Sequence, residues 1–381
     1  MKINPDGAGL DERRLERITE HIQQRYVDAG RIAGAQAAVL RHGQVGYFRS
    51  FGARDLERGK PVEEDTIWRI YSMTKPITGA ALLSLYERGL FQLDDRVSRY
   101  IPEWKNLKVR ERDADGTERL VEPKREMTIR HLMMHTSGLG MPGGRSLADA
   151  LAVDNHKPGE PFAPSFRGGG DLATFVSRLA EQPLEFHPGD HWLYTISTDI
   201  CGRLVEILSG QRFDDYLRTT IFEPLGMQDT AFWVPEDKAD RLAASYRRDR
   251  DKKLTLVEDP ERSRYRNEPS FLSGGGGLLS TTSDYLRFCQ MLLGGGEVDG
   301  VRVLGRKTVE LWRPTTCPVV ATCVSSRCPA ATARWSSPAW ASASQLPSRR
   351  SRRRQGWSGR PVSSCGAAPP RPSSGSIRPR T

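Results

Sequence analysis

A serine and a lysine three residues apart, Ser72 and Lys75, form the chain's one Ser-x-x-Lys pattern. A serine hydroxyl is a weak nucleophile at its own pKa and needs a neighbouring group to take its proton. A lysine can be that base, or can tune one, when its surroundings depress its pKa. The pattern favours nucleophilic catalysis. The simpler alternative is that Ser72 only caps a helix and that Lys75 is solvated.

The elements around Ser72 can position it for such chemistry. Residues 67–71 read as a strand, and a helix is predicted over residues 74–88, with Pro76 in its first turn, where a missing N–H costs little. Ser72 would then lie at a helix N-terminus, where backbone N–H groups favour developing negative charge. Its own N–H is therefore a candidate oxyanion donor, and Lys75 shares its helical face.

Tyr194 is a candidate third participant. It belongs to a Trp-Leu-Tyr-Thr segment that precedes a helix predicted over residues 198–208. A tyrosine placed near a lysine can act as a general base or acid. The alternative is an ordinary half-buried aromatic side chain.

Several segments together carry a family resemblance. Residues 70–78, Ile-Tyr-Ser-Met-Thr-Lys-Pro-Ile-Thr, resemble the nucleophile segment of class C β-lactamase-like serine hydrolases, and most nearly that of the family VIII carboxylesterases. Residues 135–139, 222–227 and 273–278 agree with the same family in the same order. The resemblance covers about residues 8–312. It implies an acyl-enzyme mechanism with Ser72 as the nucleophile and with Lys75 and Tyr194 as its base machinery.

The same resemblance implies a fold. We expect an α/β protein of the β-lactamase/transpeptidase type, with an antiparallel sheet flanked by helices and a large, mostly helical insertion. The α/β lobe would comprise residues 1–90 and 270–312, and the helical lobe residues 91–269.

Two departures from the family pattern bear on function. Ile196 stands where β-lactamases and penicillin-binding proteins carry the Asn of Tyr-x-Asn, which favours ester over lactam substrates. The Lys-Thr-Gly or Trp-Gly-Gly triplet of a late strand, which supplies an oxyanion N–H, does not occur after Gly305. We therefore expect a carboxylesterase on short-acyl esters. The alternatives are a β-lactamase or D-alanyl-D-alanine carboxypeptidase, and a catalytically inactive, truncated family member.

The composition changes abruptly near residue 313. Residues 314–381 contain eleven Arg and no Lys, Asp or Glu, and 44 of these 68 residues are Ser, Arg, Pro or Ala. The formal charge of +10 therefore comes from the tail, since the first 313 residues hold 46 basic and 47 acidic groups. A near-neutral body does not indicate a nucleic-acid or membrane-surface protein. One interpretation of the tail is a disordered basic segment.

A shift of reading frame is the interpretation we favour. If each true codon begins at the third base of the codon shown, residues 365–377 can encode Trp-Gly-Gly-Ala-Ser-Thr-Ser-Phe-Phe-Trp-Ile-Asp. Residues 335–344 and 314–319 can encode further family-like segments at the same offset. One nucleotide lost near codons 311–312 would account for all three. The chain as given would then lack sheet strands, so we expect an incomplete sheet and a destabilised or inactive protein.

Hydrophobic periodicity predicts strand-rich elements first and a helical block after them. Helices are predicted over residues 11–27, 74–88, 127–134, 171–181, 198–208 and 283–293. Strands are predicted over residues 35–40 and 45–48, which form a hairpin, and over residues 301–304. Loops are predicted over residues 111–117 and 154–170.

No cofactor or metal is expected. The i, i+4 pairs His131/His135 and His187/His191 lack the Glu of a His-Glu-x-x-His pattern, and Pro188-Gly189 interrupts the second pair. The expected partner is a small ester or amide substrate, with no nucleic acid and no membrane; the oligomeric state is not predicted. No signal-like or membrane-spanning segment is apparent, so we expect a cytoplasmic protein.

Overall fold

The computed structural model describes residues 2–113, 115–140, 170–249 and 251–315, with side chains as far as Trp312. Most of the loop predicted over residues 154–170, and the tail from residue 316 onward, lie outside these ranges. The division into two lobes at residues 90 and 269 stays a prediction.

The described helices are, in chain order, α1 (Glu12–Ile22), α2 (Thr74–Glu87), α3 (Ile129–Met133), α4 (Leu172–Leu179), α5 (Ser197–Ser209), α6 (Phe213–Leu217), α7 (Glu223–Leu225), α8 (Thr282–Leu293) and α9 (Arg306–Thr315). The described strands are β1 (Gly34–Arg41), β2 (Gln44–Asp55), β3 (Lys60–Pro61), β4 (Trp68–Arg69), β5 (Val109–Arg112), β6 (Glu118–Val121), β7 (Ser245–Arg248), β8 (Leu254–Glu258), β9 (Leu279–Ser280), β10 (Glu297–Val298) and β11 (Val301–Arg302). No helix in these described ranges is both long enough and apolar enough to cross a membrane.

Each predicted helix is present, with ends that differ by a few residues. The first is shorter than predicted because the chain passes into a π-helical turn, Gln23–Val27, after α1. Asp11 begins α1 as its N-cap, where its carboxylate accepts a hydrogen bond from the backbone N–H of Arg14. Helix α3 is also shorter than predicted, and Thr128 caps it in the same way.

The predicted hairpin is formed by β1 and β2, which pair antiparallel from Gly34↔Gly52 to Arg41↔Gln44. His42 and Gly43 connect them with φ of 52° and 72°, the left-handed conformations that a two-residue hairpin turn requires. Strand β2 runs well beyond the predicted residue 48 and pairs with β3 at its far end. Among the described residues, the largest sheet therefore has three strands, in the order β1-β2-β3.

Helices cover both faces of this sheet. Tyr47 and Phe51 of β2 pack against Leu15 of α1 on one face. Phe48 packs with Leu286 of α8 on the other face. Alternate residues of β2 thus bury opposite sides of the strand, as expected for a sheet between two helical layers.

The loop predicted over residues 111–117 is wrong at its beginning. Glu111 and Arg112 belong to β5, which pairs with β6 as a second hairpin, from Val109↔Val121 to Arg112↔Glu118. Charged residues on both strands hid this hairpin from a hydrophobicity pattern. The cross-strand ion pair of Arg119 with Glu111, 3.1 Å apart, contributes to its pairing.

Helix α2 is the buried centre of the larger core. Its residues Ala80, Ala81, Leu82 and Leu85 are fully buried, and α5 packs along it. A helix that is apolar around its circumference has its place inside a core. Because α2 is enclosed on all sides, it provides a rigid base for the residues at its N-terminus.

Candidate active site

The chain reaches α2 through a short strand and a tight turn. Strand β4 pairs with β9, and the backbone N–H of Ile70 donates to Leu278 O at 3.1 Å. Tyr71 then takes a left-handed φ of 41°, which is unusual for a bulky residue. The segment 67–71 is thus a two-residue strand followed by a turn, because the 3-10 turn Tyr71–Met73 begins immediately before α2. That turn carries Ser72.

Two further contacts hold this turn in place. Thr74 Oγ1 accepts a hydrogen bond from the backbone N–H of Leu278 at 3.2 Å. Tyr285 of α8 donates from its hydroxyl to Met73 O at 3.0 Å. A strained residue persists only where its surroundings determine its conformation, and such strain is typical of functional sites.

The structure brings Ser72, Lys75 and Tyr194 together. Tyr194 donates a hydrogen bond to Ser72 Oγ at 2.7 Å, and Lys75 Nζ lies 3.2 Å from the same oxygen. The Lys75 ammonium position is also 4.6 Å from the centre of the Tyr194 ring. The serine oxygen therefore has two proton-carrying groups within hydrogen-bonding distance, which is the arrangement that activation of a nucleophile requires.

Burial shifts the pKa values of both neighbours. Burial lowers the pKa of Lys75 to about 8, and the negative charge of Asp199 opposes that shift. Burial raises the pKa of Tyr194 to about 12, against the hydrogen bond with Ser72. Near neutral pH, Lys75 can therefore release or accept a proton, whereas Tyr194 retains its phenolic proton.

His135 lies beside these residues as a neutral ring. Its centroid is 4.9 Å from that of Tyr194 and 6.2 Å from that of Trp192. Burial, with the nearby Lys75 charge, lowers the pKa of His135 to about 3. Its Nδ1 is buried and has no hydrogen-bond partner. The ring therefore packs against the Tyr194 phenol.

The glycine-rich segment Ser273–Gly277 lies against the same residues. Lys75 Nζ donates to Gly275 O at 2.6 Å, and Thr78 Oγ1 donates to Gly274 O at 2.8 Å. A Cβ on Gly274 would lie 2.7 Å from Thr198 O, and one on Gly275 would lie 2.7 Å from Asp199 Oδ2. These glycines therefore allow a close approach of the backbone that a side chain would prevent.

Sequence reasoning missed Asp199. This residue lies in the first turn of α5, is 5% exposed, and accepts hydrogen bonds from Ser273 Oγ at 2.6 Å and Gly275 N at 3.0 Å. An acidic residue in a first turn ordinarily indicates only a favourable interaction with the helix dipole. The available signal was its position in a stretch that is otherwise largely apolar, where an unpaired carboxylate would be costly.

Two of the histidines considered for metal binding, His187 and His131, have other partners. His187 Nδ1 accepts from the backbone N–H of Lys124 at 3.2 Å, which leaves Nε2 to donate to Glu111 Oε1 at 3.0 Å. His131 Nδ1 accepts from Thr128 N at 3.1 Å. Within the described ranges, no group of three potential ligands could hold a metal ion.

The Beta-lactamase family profile matches residues 19–318 of this chain. Esterase EstB of Burkholderia gladioli is 34% identical over 302 residues, which cover 75% of this chain and 72% of EstB. The structure is similar to that of EstCE1, a hydrolase with promiscuous acyltransferase activity, with a TM-score of 0.63, 27% identity, and coverage of 78% of this chain and 76% of EstCE1. It is also similar to simvastatin synthase (LovD) from Aspergillus terreus, with a TM-score of 0.61, 30% identity, and coverage of 78% and 71%.

The chain therefore belongs to the Beta-lactamase family. It is a serine hydrolase of that family, and it has the β-lactamase/transpeptidase-like fold that the sequence resemblance implied.

Proposed function

We propose that this chain is a carboxylesterase that forms an acyl-enzyme on Ser72 Oγ. The observation that carries the proposal is the position of this oxygen, which lies 2.7 Å from the Tyr194 hydroxyl and 3.2 Å from Lys75 Nζ. The esterase names of EstB and EstCE1 support an ester substrate. Ile196, buried beside the site, offers no amide to bind the substrate, which is consistent with an ester rather than a lactam.

Acylation would begin with neutral Lys75 accepting the proton of Ser72 as Oγ attacks the ester carbonyl carbon. The carbonyl oxygen becomes an oxyanion, and the Ser72 N–H at the entrance of α2 would donate to it. As the tetrahedral intermediate collapses, Tyr194 would give its proton to the departing alkoxide and recover one from Lys75. The products of this half-reaction are the free alcohol and the acylated serine, and both side chains return to their starting protonation states.

Deacylation would repeat these transfers with water as the nucleophile. Lys75 would take a proton from the water as it attacks the acyl carbon, and Ser72 Oγ would leave and be protonated through Tyr194. The same two residues thus act as base and acid in both half-reactions, as reversibility of proton transfer requires.

Acyl transfer to an alcohol is a second candidate function. EstCE1 has promiscuous acyltransferase activity, and a methylbutanoyltransferase of Aspergillus terreus is 33% identical over 279 residues. An alcohol would simply replace water in the second half-reaction. Product analysis in the presence of a short-chain alcohol separates the two, because transfer produces a new ester and hydrolysis produces only acid.

Two other candidates remain from the sequence. Turnover of nitrocefin above that of p-nitrophenyl esters would identify a β-lactamase or a D-alanyl-D-alanine carboxypeptidase. The inactive-member hypothesis follows from the missing Trp-Gly-Gly strand and its oxyanion N–H. Hydrolysis of p-nitrophenyl butyrate that is abolished by Ser72→Ala supports the ester proposal, and absence of both hydrolysis and fluorophosphonate labelling at Ser72 would contradict it.

A further inference from the structure

We propose that Asp199 is a positioning residue for the base: it fixes the Ser273–Gly277 segment against Lys75 and supplies the negative charge that Lys75 faces. This inference rests on the proposed ester hydrolysis. It gives a function to a buried carboxylate that the proposed proton transfers do not use.

The positioning part follows from a continuous set of hydrogen bonds. Asp199 Oδ1 accepts from Ser273 Oγ at 2.6 Å and from the backbone N–H of Gly275 at 3.0 Å. The carbonyl oxygen of Gly275 accepts from Lys75 Nζ at 2.6 Å. Lys75 is thus oriented toward Ser72 by a carbonyl group whose own residue is held by Asp199.

The fit between the carboxylate and the segment is close. A Cβ on Gly275 would lie 2.7 Å from Asp199 Oδ2. The Ser273–Gly277 segment therefore has little room to move toward α5. If the Asp199 carboxylate were displaced, Gly275 would lose the hydrogen bond that holds it. A side chain that holds neighbouring residues in place in this way determines the geometry of the site without touching the substrate.

The electrostatic part of the proposal depends on which groups near Lys75 are charged near pH 7. Burial lowers the pKa of His135 to about 3 and raises the pKa values of Tyr194 and Cys201 to about 12, so all three are neutral near pH 7. Within the described residues, these three groups are the titratable neighbours of Lys75 and Asp199. They come from α5 and from the segments that precede α4 and α5. Burial raises the pKa of Asp199, and the hydrogen bonds from Ser273 and Gly275, with the Lys75 charge, oppose that shift. Its charge in turn favours the protonated form of Lys75.

A matched pair of variants separates geometry from charge. Asp199→Asn retains an oxygen that can accept from Ser273 and Gly275 but removes the charge. Ser273→Ala removes one of the two hydrogen bonds but retains the charge. Both are compared with the full wild-type chain in the pH profile of kcat/KM for p-nitrophenyl butyrate, and circular dichroism verifies that each variant is folded.

The expected results differ between the two variants. For Asp199→Asn, the acid limb moves to lower pH by about one pH unit, because Lys75 loses a stabilising charge. Its plateau kcat/KM falls by about tenfold, because a weaker base takes the proton less readily. For Ser273→Ala, the plateau falls but the limb stays at its wild-type position. An unmoved limb in Asp199→Asn would overturn the charge assignment.

Carbon-13 NMR of the wild-type chain provides a test that does not depend on activity. With lysine labelled at Cε and aspartate at Cγ, the Lys75 resonance, assigned by Lys75→Arg, should titrate while the Asp199 Cγ shift remains that of a carboxylate. An Asp199 that stays protonated throughout the Lys75 titration would overturn the proposal. If the wild-type chain showed neither ester hydrolysis nor fluorophosphonate labelling at Ser72, the ester proposal itself would be refuted. Failure of the Asp199 proposal is therefore distinguishable from failure of the proposed function.

Discussion

The Tyr194 hydroxyl donates a 2.7 Å hydrogen bond to Ser72 Oγ across 122 residues of sequence. The two residues come from different elements, since Ser72 precedes α2 and Tyr194 precedes α5, and these two helices pack along one another. The packing of this helix pair therefore sets the distance between Ser72 and Tyr194. Most residues of both helices are buried, so this distance depends on the packing of the core.

Removing the Tyr194 hydroxyl tests its assigned role. Tyr194→Phe keeps the ring that packs on His135 but loses the proton donor, so kcat for p-nitrophenyl butyrate should fall by about 10²- to 10⁴-fold. Tyr216→Phe is the matched control, because that buried hydroxyl bonds to Ser84 Oγ at 2.8 Å, away from Ser72. The control should lose about 0.5–1.5 kcal/mol of stability and keep its activity. Equal losses of kcat in both variants would argue against a catalytic Tyr194.

The pH profile tests Lys75 as the base. Its pKa is lowered to about 8 by burial, so the neutral, proton-accepting form dominates above that pH and is lost below it. We expect kcat/KM to be level above about pH 8 and to fall about tenfold per pH unit below it. Stopped-flow or plate assays with a pH-insensitive ester detect this limb. A rate that is flat from pH 6 to 9 would exclude Lys75 as the group that accepts the Ser72 proton.

Lys75→Arg complements this profile. The guanidinium keeps a positive charge but does not deprotonate at accessible pH. We expect activity to be lost at every pH, while binding of a competitive ester analogue is retained. Recovery of activity at high pH in this variant would show that a group other than Lys75 is the base.

Two neighbouring glycines provide a steric test of the Ser273–Gly277 segment. Gly275→Ala should destabilise the protein by about 1–3 kcal/mol and displace the carbonyl oxygen that Lys75 binds, because its Cβ would lie 2.7 Å from Asp199 Oδ2. In Gly276→Ala the nearest atom to the new Cβ is 3.6 Å away. This control should change stability by less than about 1 kcal/mol and leave kcat close to wild type. Urea denaturation and kcat measured on both variants check the pair, and the steric account fails if they behave alike.

The reading-frame hypothesis makes a prediction about stability. The family match ends at residue 318, close to the change in composition, and among the described residues β1 pairs with β2 alone. Restoring one nucleotide near codons 311–312 should supply further strands, raise the melting temperature and increase ester hydrolysis. A chain that ends at Trp312 is the control and should behave like the chain as given.

DNA sequencing of fresh template across codons 305–320 tests the same hypothesis directly. An additional nucleotide would show that the tail is an error of frame. Confirmation of the sequence as given, together with full cooperative unfolding and esterase activity, would refute the prediction that this chain is destabilised or inactive.

Local signals predicted much of the fold. Hydrophobic periodicity predicted both the helix over residues 74–88, which is α2, and the β1–β2 hairpin. Strand β2 exceeded its prediction because Phe51 is buried against α1 and the far end of the strand pairs with β3, contacts that a local pattern does not contain. The β5–β6 hairpin was missed in part because its strands are held by charged pairs rather than by apolar alternation.

Only part of the candidate site was predicted from the sequence. Ser72 and Lys75 are three residues apart, so helical geometry places them together. Tyr194 was singled out by its position before a predicted helix and by the family resemblance. Asp199 and the carbonyl group of Gly275 could not be predicted from spacing, because their contact with Lys75 depends on how α2, α5 and the glycine-rich segment pack.

The most direct test of the account is mass spectrometry of the full chain after brief incubation with a p-nitrophenyl ester and acid quenching. We predict an added acyl group on the peptide that contains Ser72, absent in Ser72→Ala and reduced in Tyr194→Phe. Ester hydrolysis without any adduct at Ser72, or with the adduct on another residue, would contradict the proposed acyl-enzyme.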